Sequence, residues 1–176
     1  MKLLARFTFV LIALILSVAG VVHAENIAAT LTGYEETPAA VSTDASGEFR
    51  AMINRGDQSI DYELTYSGLQ GTITQAHIHV AQLSVTGSIV IWFCQTATNP
   101  GPAGTPTCTP GSGTFTGTIT EANVVAGGTA SQQLAAGELD EVIRAIRAGA
   151  AYVNVHTSPL SPGGEIRGQI RASARK

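Results

Sequence analysis

The chain has 176 residues, 44% of them hydrophobic, with 10 basic against 13 acidic side chains and a formal charge of −3. A mildly acidic chain of this size argues against nucleic acid and anionic membranes as partners, and it is long enough to bury one core of its own. With two cysteines and four histidines in all, each position can be weighed singly.

Lys2 and Arg6 precede the apolar run Phe7 to Val22, and Val22-His23-Ala24 ends in a small residue. This is the pattern of a signal peptide over residues 1–24, which predicts a secreted or periplasmic protein whose mature domain is 25–176 and which has no membrane association after cleavage. With Lys2 and Arg6 gone, eight basic residues face 13 acidic ones, and His23 leaves as well. The rival reading is an uncleaved anchor, although the run is shorter than the ~20 residues that span a bilayer.

Short strand-like runs, most of them alternating, follow at 27–31, 47–53, 59–66, 74–80, 88–93, 114–119, 152–156 and 165–171. Turn signals such as Arg55-Gly56-Asp57, Ser67-Gly68 and Ser161-Pro162-Gly163-Gly164 separate them, so the expectation is an all-β sandwich or barrel. Cys94 and Cys108 flank a Pro/Gly/Thr-rich stretch and, in an exported protein, are expected to form a disulfide; a cysteine metal site is the alternative. One segment has a different period. Leu139, Val142, Ile143 and Ile146 recur at helical spacing, with acidic residues first, Arg144 and Arg147 last and Gly149 as a stop, which predicts one short helix near 138–148.

The three remaining histidines fall in two strand motifs, Ala76-His77-Ile78-His79-Val80 and Tyr152-Val153-Asn154-Val155-His156-Thr157. Alternation sends His77 and His79 to one face, and Tyr152, Asn154 and His156 to one face of the second strand. Each strand then has a core wall and a polar wall expected on the exposed side of the sheet. If the two polar walls are neighbours, His77, His79 and His156 converge on one metal ion, three imidazoles with an open position suiting copper or zinc. The other reading makes them polar strand residues that hydrogen-bond across the sheet. Tyr152 and Asn154 could orient an imidazole from behind. Glu165, Arg167 and Gln169 read as a solvated or salt-bridged strand face. Glu35 and Glu36 read as a solvated turn, with an acidic oxygen ligand as the alternative. There is no nucleophile elbow, phosphate-cradling glycine motif or recognisable pair of catalytic carboxylates.

The order Leu31-Thr32-Gly33-Tyr34-Glu35-Glu36-Thr37-Pro38, Ala45-Ser46-Gly47-Glu48, Ala76-His77-Ile78-His79, Tyr152-Val153-Asn154-Val155-His156-Thr157 and Pro162-Gly163-Gly164-Glu165-Ile166-Arg167-Gly168-Gln169 resembles the CHRD (chordin-type) domain over nearly the whole mature chain. That family occurs in exported bacterial proteins and in an extracellular antagonist of growth factors. The resemblance therefore implies an extracellular binding module with an unidentified protein or small-molecule partner.

CHRD domains are in turn similar to Cu/Zn superoxide dismutase, which implies a Greek-key barrel of the superoxide-dismutase or immunoglobulin type. By the same resemblance the metal is copper ahead of zinc, with His77, His79 and His156 as ligands and Arg167 in the place of an anion-guiding arginine. The two-metal site of that enzyme needs further histidines, which the mature chain lacks. Three function classes stay open: a binding module with a mononuclear copper site, a copper-dependent redox enzyme acting on superoxide or a related small oxidant, and a structural or protein-interaction domain without metal.

Overall fold

The computed structural model describes residues 24–128, 132–159 and 164–172. The apolar leader and the Ser161-Pro162-Gly163 part of the last turn signal lie outside the described residues. Strands β1 (Glu25–Thr32), β2 (Ser46–Ile53), β3 (Ile60–Ser67), β4 (Thr72–Val80), β5 (Ser88–Cys94) and β6 (Gly113–Ile119) precede helix α1 (Leu139–Arg147). After the helix come β7 (Ala151–Ser158), β8 (Ile166–Gln169) and β9 (Arg171–Ala172). The alternating runs thus became strands, and the segment with a 3.6-residue period became the single α-helix among the described residues.

The strands form one sheet in the order β5-β4-β7-β8-β1-β2-β3-β6, with β9 against β1, and it curls into a nearly closed barrel. Every strand pairing is antiparallel. Consecutive β1, β2 and β3 are hydrogen-bonded neighbours, whereas the connections β3 to β4, β5 to β6 and β6 to β7 join strands that are not. On the meander, alternation places Ile27, Ala29 and Leu31, then Phe49, Ala51 and Ile53, then Ile60, Leu64 and Tyr66 in the core. Leu139, Val142, Ile143 and Ile146 of α1 join the same core cluster.

The expected single strand 165–171 is broken. Ile170 leaves the ladder and donates its N–H to the Ala151 carbonyl, and β9 pairs with β1. Strand β7 lies between β4 and β8 and is buried on both faces from Ala151 to Thr157.

Cys94 and Cys108 are joined, as the exported-protein reading expects. Between them, Gln95 and Thr107 form an isolated bridge, and the Gln95 amide donates to the Thr105 carbonyl. Replacing both cysteines by serine is expected to lower stability by about 3 kcal/mol, the chain entropy that a loop of about 15 residues regains on unfolding. Urea unfolding monitored by circular dichroism reads this directly; a loss below about 1 kcal/mol would mean that the loop is held by its hydrogen bonds alone.

Candidate metal centre

Strands β4 and β7 are neighbours, which brings the two histidine motifs together. After a register irregularity between Ile73 and Gln75, the pairs are Gln75 with His156, His77 with Asn154 and His79 with Tyr152. Directly paired residues share a face, so Gln75, His77 and His79 stand beside Tyr152, Asn154 and His156 on the side away from Ala76, Ile78, Val153 and Val155. The ring centroids are 5.3 Å apart for His77 and His79, 5.1 Å for His77 and His156, and 5.9 Å for His79 and His156. One nitrogen from each ring lies within 4.8 Å of the others. Tetrahedral ligation at about 2.0–2.1 Å separates nitrogens by roughly 3.3 Å, so modest ring movements close the gap.

The wall that carries these rings is not exposed, contrary to the expectation from alternation alone. His77 is 0%, His79 6% and His156 9% accessible. The reason is that this side of the sheet is covered in its turn by segments that have no periodic pattern to betray them, the residues after β1 and those between β4 and β5. Burial holds the imidazoles neutral: His77 is pushed down to about 2, with the charges that His156 and His79 would carry adding to the effect. His156 is pushed down to about 3, again chiefly by burial, and His79 to about 4, where its bond to Gly87 partly offsets burial.

Both nitrogens of His77, and Nε2 of His79 and of His156, are buried with no hydrogen-bonding partner among the described residues. An orphaned buried nitrogen ordinarily costs about 1–3 kcal/mol.

His79 is held from behind. Its Nδ1 lies 3.0 Å from the Gly87 carbonyl, which can only accept, so Nδ1 carries the proton and Nε2 presents its lone pair to the cluster. The Gly87 N–H donates to the Tyr152 hydroxyl at 3.2 Å, and the Tyr152 ring stacks on His79 at 4.7 Å and an interplanar angle of 2°. The Arg167 guanidinium lies 3.5 Å from the centre of the Tyr152 ring and donates to Thr37 Oγ1 at 2.7 Å and to the Val85 carbonyl at 3.0 Å. His77 is backed by Trp92, edge-on at 4.2 Å.

Gly87 is irreplaceable sterically, because an added Cβ would lie 2.0 Å from the Val80 carbonyl oxygen. Gly87→Ala is expected to cost about 1–3 kcal/mol through the shift it forces and to weaken metal binding roughly 10- to 100-fold by disorienting His79. Calorimetric titration with zinc(II) checks this, and unaltered affinity would mean that the Gly87 peptide does not orient the ring.

Of the two residues expected to orient an imidazole, Tyr152 stacks on His79, whereas the Asn154 amide turns to other partners, donating to Glu36 Oε1 at 2.6 Å and to the Ile166 carbonyl at 3.1 Å. Other readings need correction. Arg167 is 2% accessible and engaged on Thr37, Val85 and Tyr152, so it does not present a free cation to solvent.

Glu165 and Gln169 are likewise buried rather than solvated. The Glu165 carboxylate accepts from the hydroxyls of Thr43 and Thr157 and from the N–H groups of Gln70 and Gly71, fastening three segments. Glu36 is no solvated turn residue: burial raises its carboxyl to about 7, against the opposing influence of Asn154 and the Arg167 charge. Trp92 and Gly87 were not singled out by their sequence context. Trp92 sits in the unbroken apolar run Ile89 to Phe93, which conceals its facing, and Gly87 acts through its backbone.

Residues 27–170 match the family model described as the CHRD domain. No curated protein and no solved structure matches the chain.

Proposed function

From the premise that this chain belongs to the CHRD domain family, we propose that it is an exported binding module with a mononuclear metal centre held by His77, His79 and His156. The observation that carries this is the set of three neutral, buried imidazoles, each with an unpartnered nitrogen, that bring one nitrogen apiece within 4.8 Å of the others. Histidines kept only for cross-strand hydrogen bonding would use those nitrogens, and leaving them bare costs stability that ligation would recover. An all-nitrogen set without thiolate accepts copper or zinc. Copper is preferred on the resemblance of the His-x-His strand and the later histidine strand to Cu/Zn superoxide dismutase. The joined cysteines and the expected leader favour a secreted or periplasmic setting.

A bound ion would supply a Lewis-acidic centre, and copper a one-electron couple as well. The chain's own part is to orient and enclose the ligand rings. Gly87 fixes the tautomer of His79, Tyr152 stacks on its ring and is held in turn by Arg167, and Trp92 packs against His77. A redox enzyme acting on superoxide is the second reading, and turnover by copper-loaded protein separates it from the first. The engagement of Arg167 in the fold weighs for the binding module.

Binding is tested by titrating the metal-free protein with copper(II) and zinc(II). One equivalent is expected for the parent and none of comparable affinity for His156→Ala; equal uptake by both would overturn the assignment.

The response to pH follows from the depressed histidines. Ligand nitrogens must be unprotonated to bind, and burial keeps protons off them until about pH 4 and below. Affinity is therefore expected to stay nearly level from pH 7 to 5 and to collapse below 4. The metal-free fold has the matching dependence. Unfolded histidines take up protons below about pH 6.5 that the folded ones refuse, so this contribution to stability is present above 6.5 and lost as pH falls through 4 toward 2. Equilibrium dialysis at stepped pH with elemental analysis checks the first statement; half-loss of metal near pH 6.5 would contradict it.

A further inference from the structure

The three rings are unequally enclosed. His77 has Trp92 against it and His79 has Tyr152 stacked on it, while His156, the most accessible of the three, borders a surface hollow of about 480 Å³. Thr74, Gln75, Asn99, Thr157 and Ser158 line this hollow with His156, and none of these side chains carries a charge. Asn99 comes from the disulfide-closed loop, which is tied to β4 by the Thr96 hydroxyl donating to the Thr74 carbonyl.

We propose that this hollow is the route by which small neutral molecules of the size of water or a diatomic reach a metal held by the three histidines, and that it disfavours anions. The inference rests on the metal reading above and adds the class of molecule the centre admits. Size follows from enclosure: His156 borders the hollow, yet its Nε2 is itself buried, so whatever passes from hollow to cluster must slip by the ring edge. Charge follows from the lining. Hydroxyl and amide dipoles solvate a neutral polar molecule, whereas an anion crossing the hollow meets no charged side chain to offset its desolvation before it reaches the ion. Arg167, the buried cation of the same wall, is not among the residues that line the hollow.

The test uses the full mature protein loaded with copper(II), with azide as the anionic probe and water as the neutral one. Gln75 stands directly across from His156 on the same face, so a charge placed there acts on the route itself. Gln75→Lys is expected to speed azide association about threefold at low salt and Gln75→Glu to slow it about threefold, the effect expected of a unit charge several ångströms away in water. Both differences should fade at high ionic strength. Water-proton relaxation by the bound copper should be the same in all three proteins.

Asn99→Lys and Asn99→Asp repeat the test from the disulfide-closed loop should a β4 variant fold poorly. If copper is bound with full stoichiometry but azide rates ignore the charge at both positions, the route is elsewhere and the proposal fails. If no copper binds to the parent, the metal reading itself has failed.

Discussion

His77→Leu is expected to reduce copper or zinc affinity by more than a hundredfold while leaving the metal-free protein as stable as the parent or more stable by about 1–3 kcal/mol. Both effects come from the same feature. His77 is fully buried, and neither of its nitrogens has a hydrogen-bonding partner among the described residues. Leucine of similar volume removes two orphaned polar atoms from the interior and fills the space beside Trp92. A structural histidine would behave oppositely, because its removal would break hydrogen bonds and destabilise the fold. Zinc(II) titration and urea unfolding of the metal-free forms read the two effects. Marked destabilisation with unchanged metal uptake would return His77 to a purely structural role.

The second large effect is expected at Arg167. Arg167→Met keeps most of the aliphatic volume but deletes the bonds to Thr37 and Val85, the stacking on Tyr152 and the positive charge near Glu36. Charged hydrogen bonds and cation–π contacts in a desolvated setting support a loss of about 3–5 kcal/mol. Arg50, an exposed residue that forms a salt bridge with its near neighbour Glu48, is the contrast: its replacement by methionine should change stability by less than about 0.5 kcal/mol. Thermal and urea denaturation of the two variants side by side measures the difference. A loss below about 1 kcal/mol for Arg167→Met would mean that the covering segments do not depend on it.

The contrast between those two arginines shows what a sequence of this kind reveals. Period-2 alternation reports which face a side chain takes, so His77 and His79 could be placed together, as could Tyr152, Asn154 and His156. It does not report which strands are neighbours. The pairing of β4 with β7 joins segments about 75 residues apart in the chain, and only the resemblance to a known family pointed to it.

Nor does alternation say whether a polar face meets water. Here Thr37, Val85 and Gly87 lie in irregular segments that fold over that face, which turns Arg167, Gln169 and Glu36 from apparent surface residues into buried ones. Trp92 was obscured for a different reason: the run Ile89 to Phe93 is apolar throughout, so it has no alternation from which a facing can be read. The helix, by contrast, was legible to within a residue or two, because Leu139, Val142, Ile143 and Ile146 satisfy a 3.6-residue period that no strand can mimic.

Elemental analysis of the protein purified from an oxidising compartment, beside a variant with His77, His79 and His156 all replaced, tests the metal centre most directly. One equivalent of copper or zinc per chain in the parent and none in the variant is the predicted result. A parent that carries no transition metal and takes none up on titration, or a variant that carries as much, would contradict it.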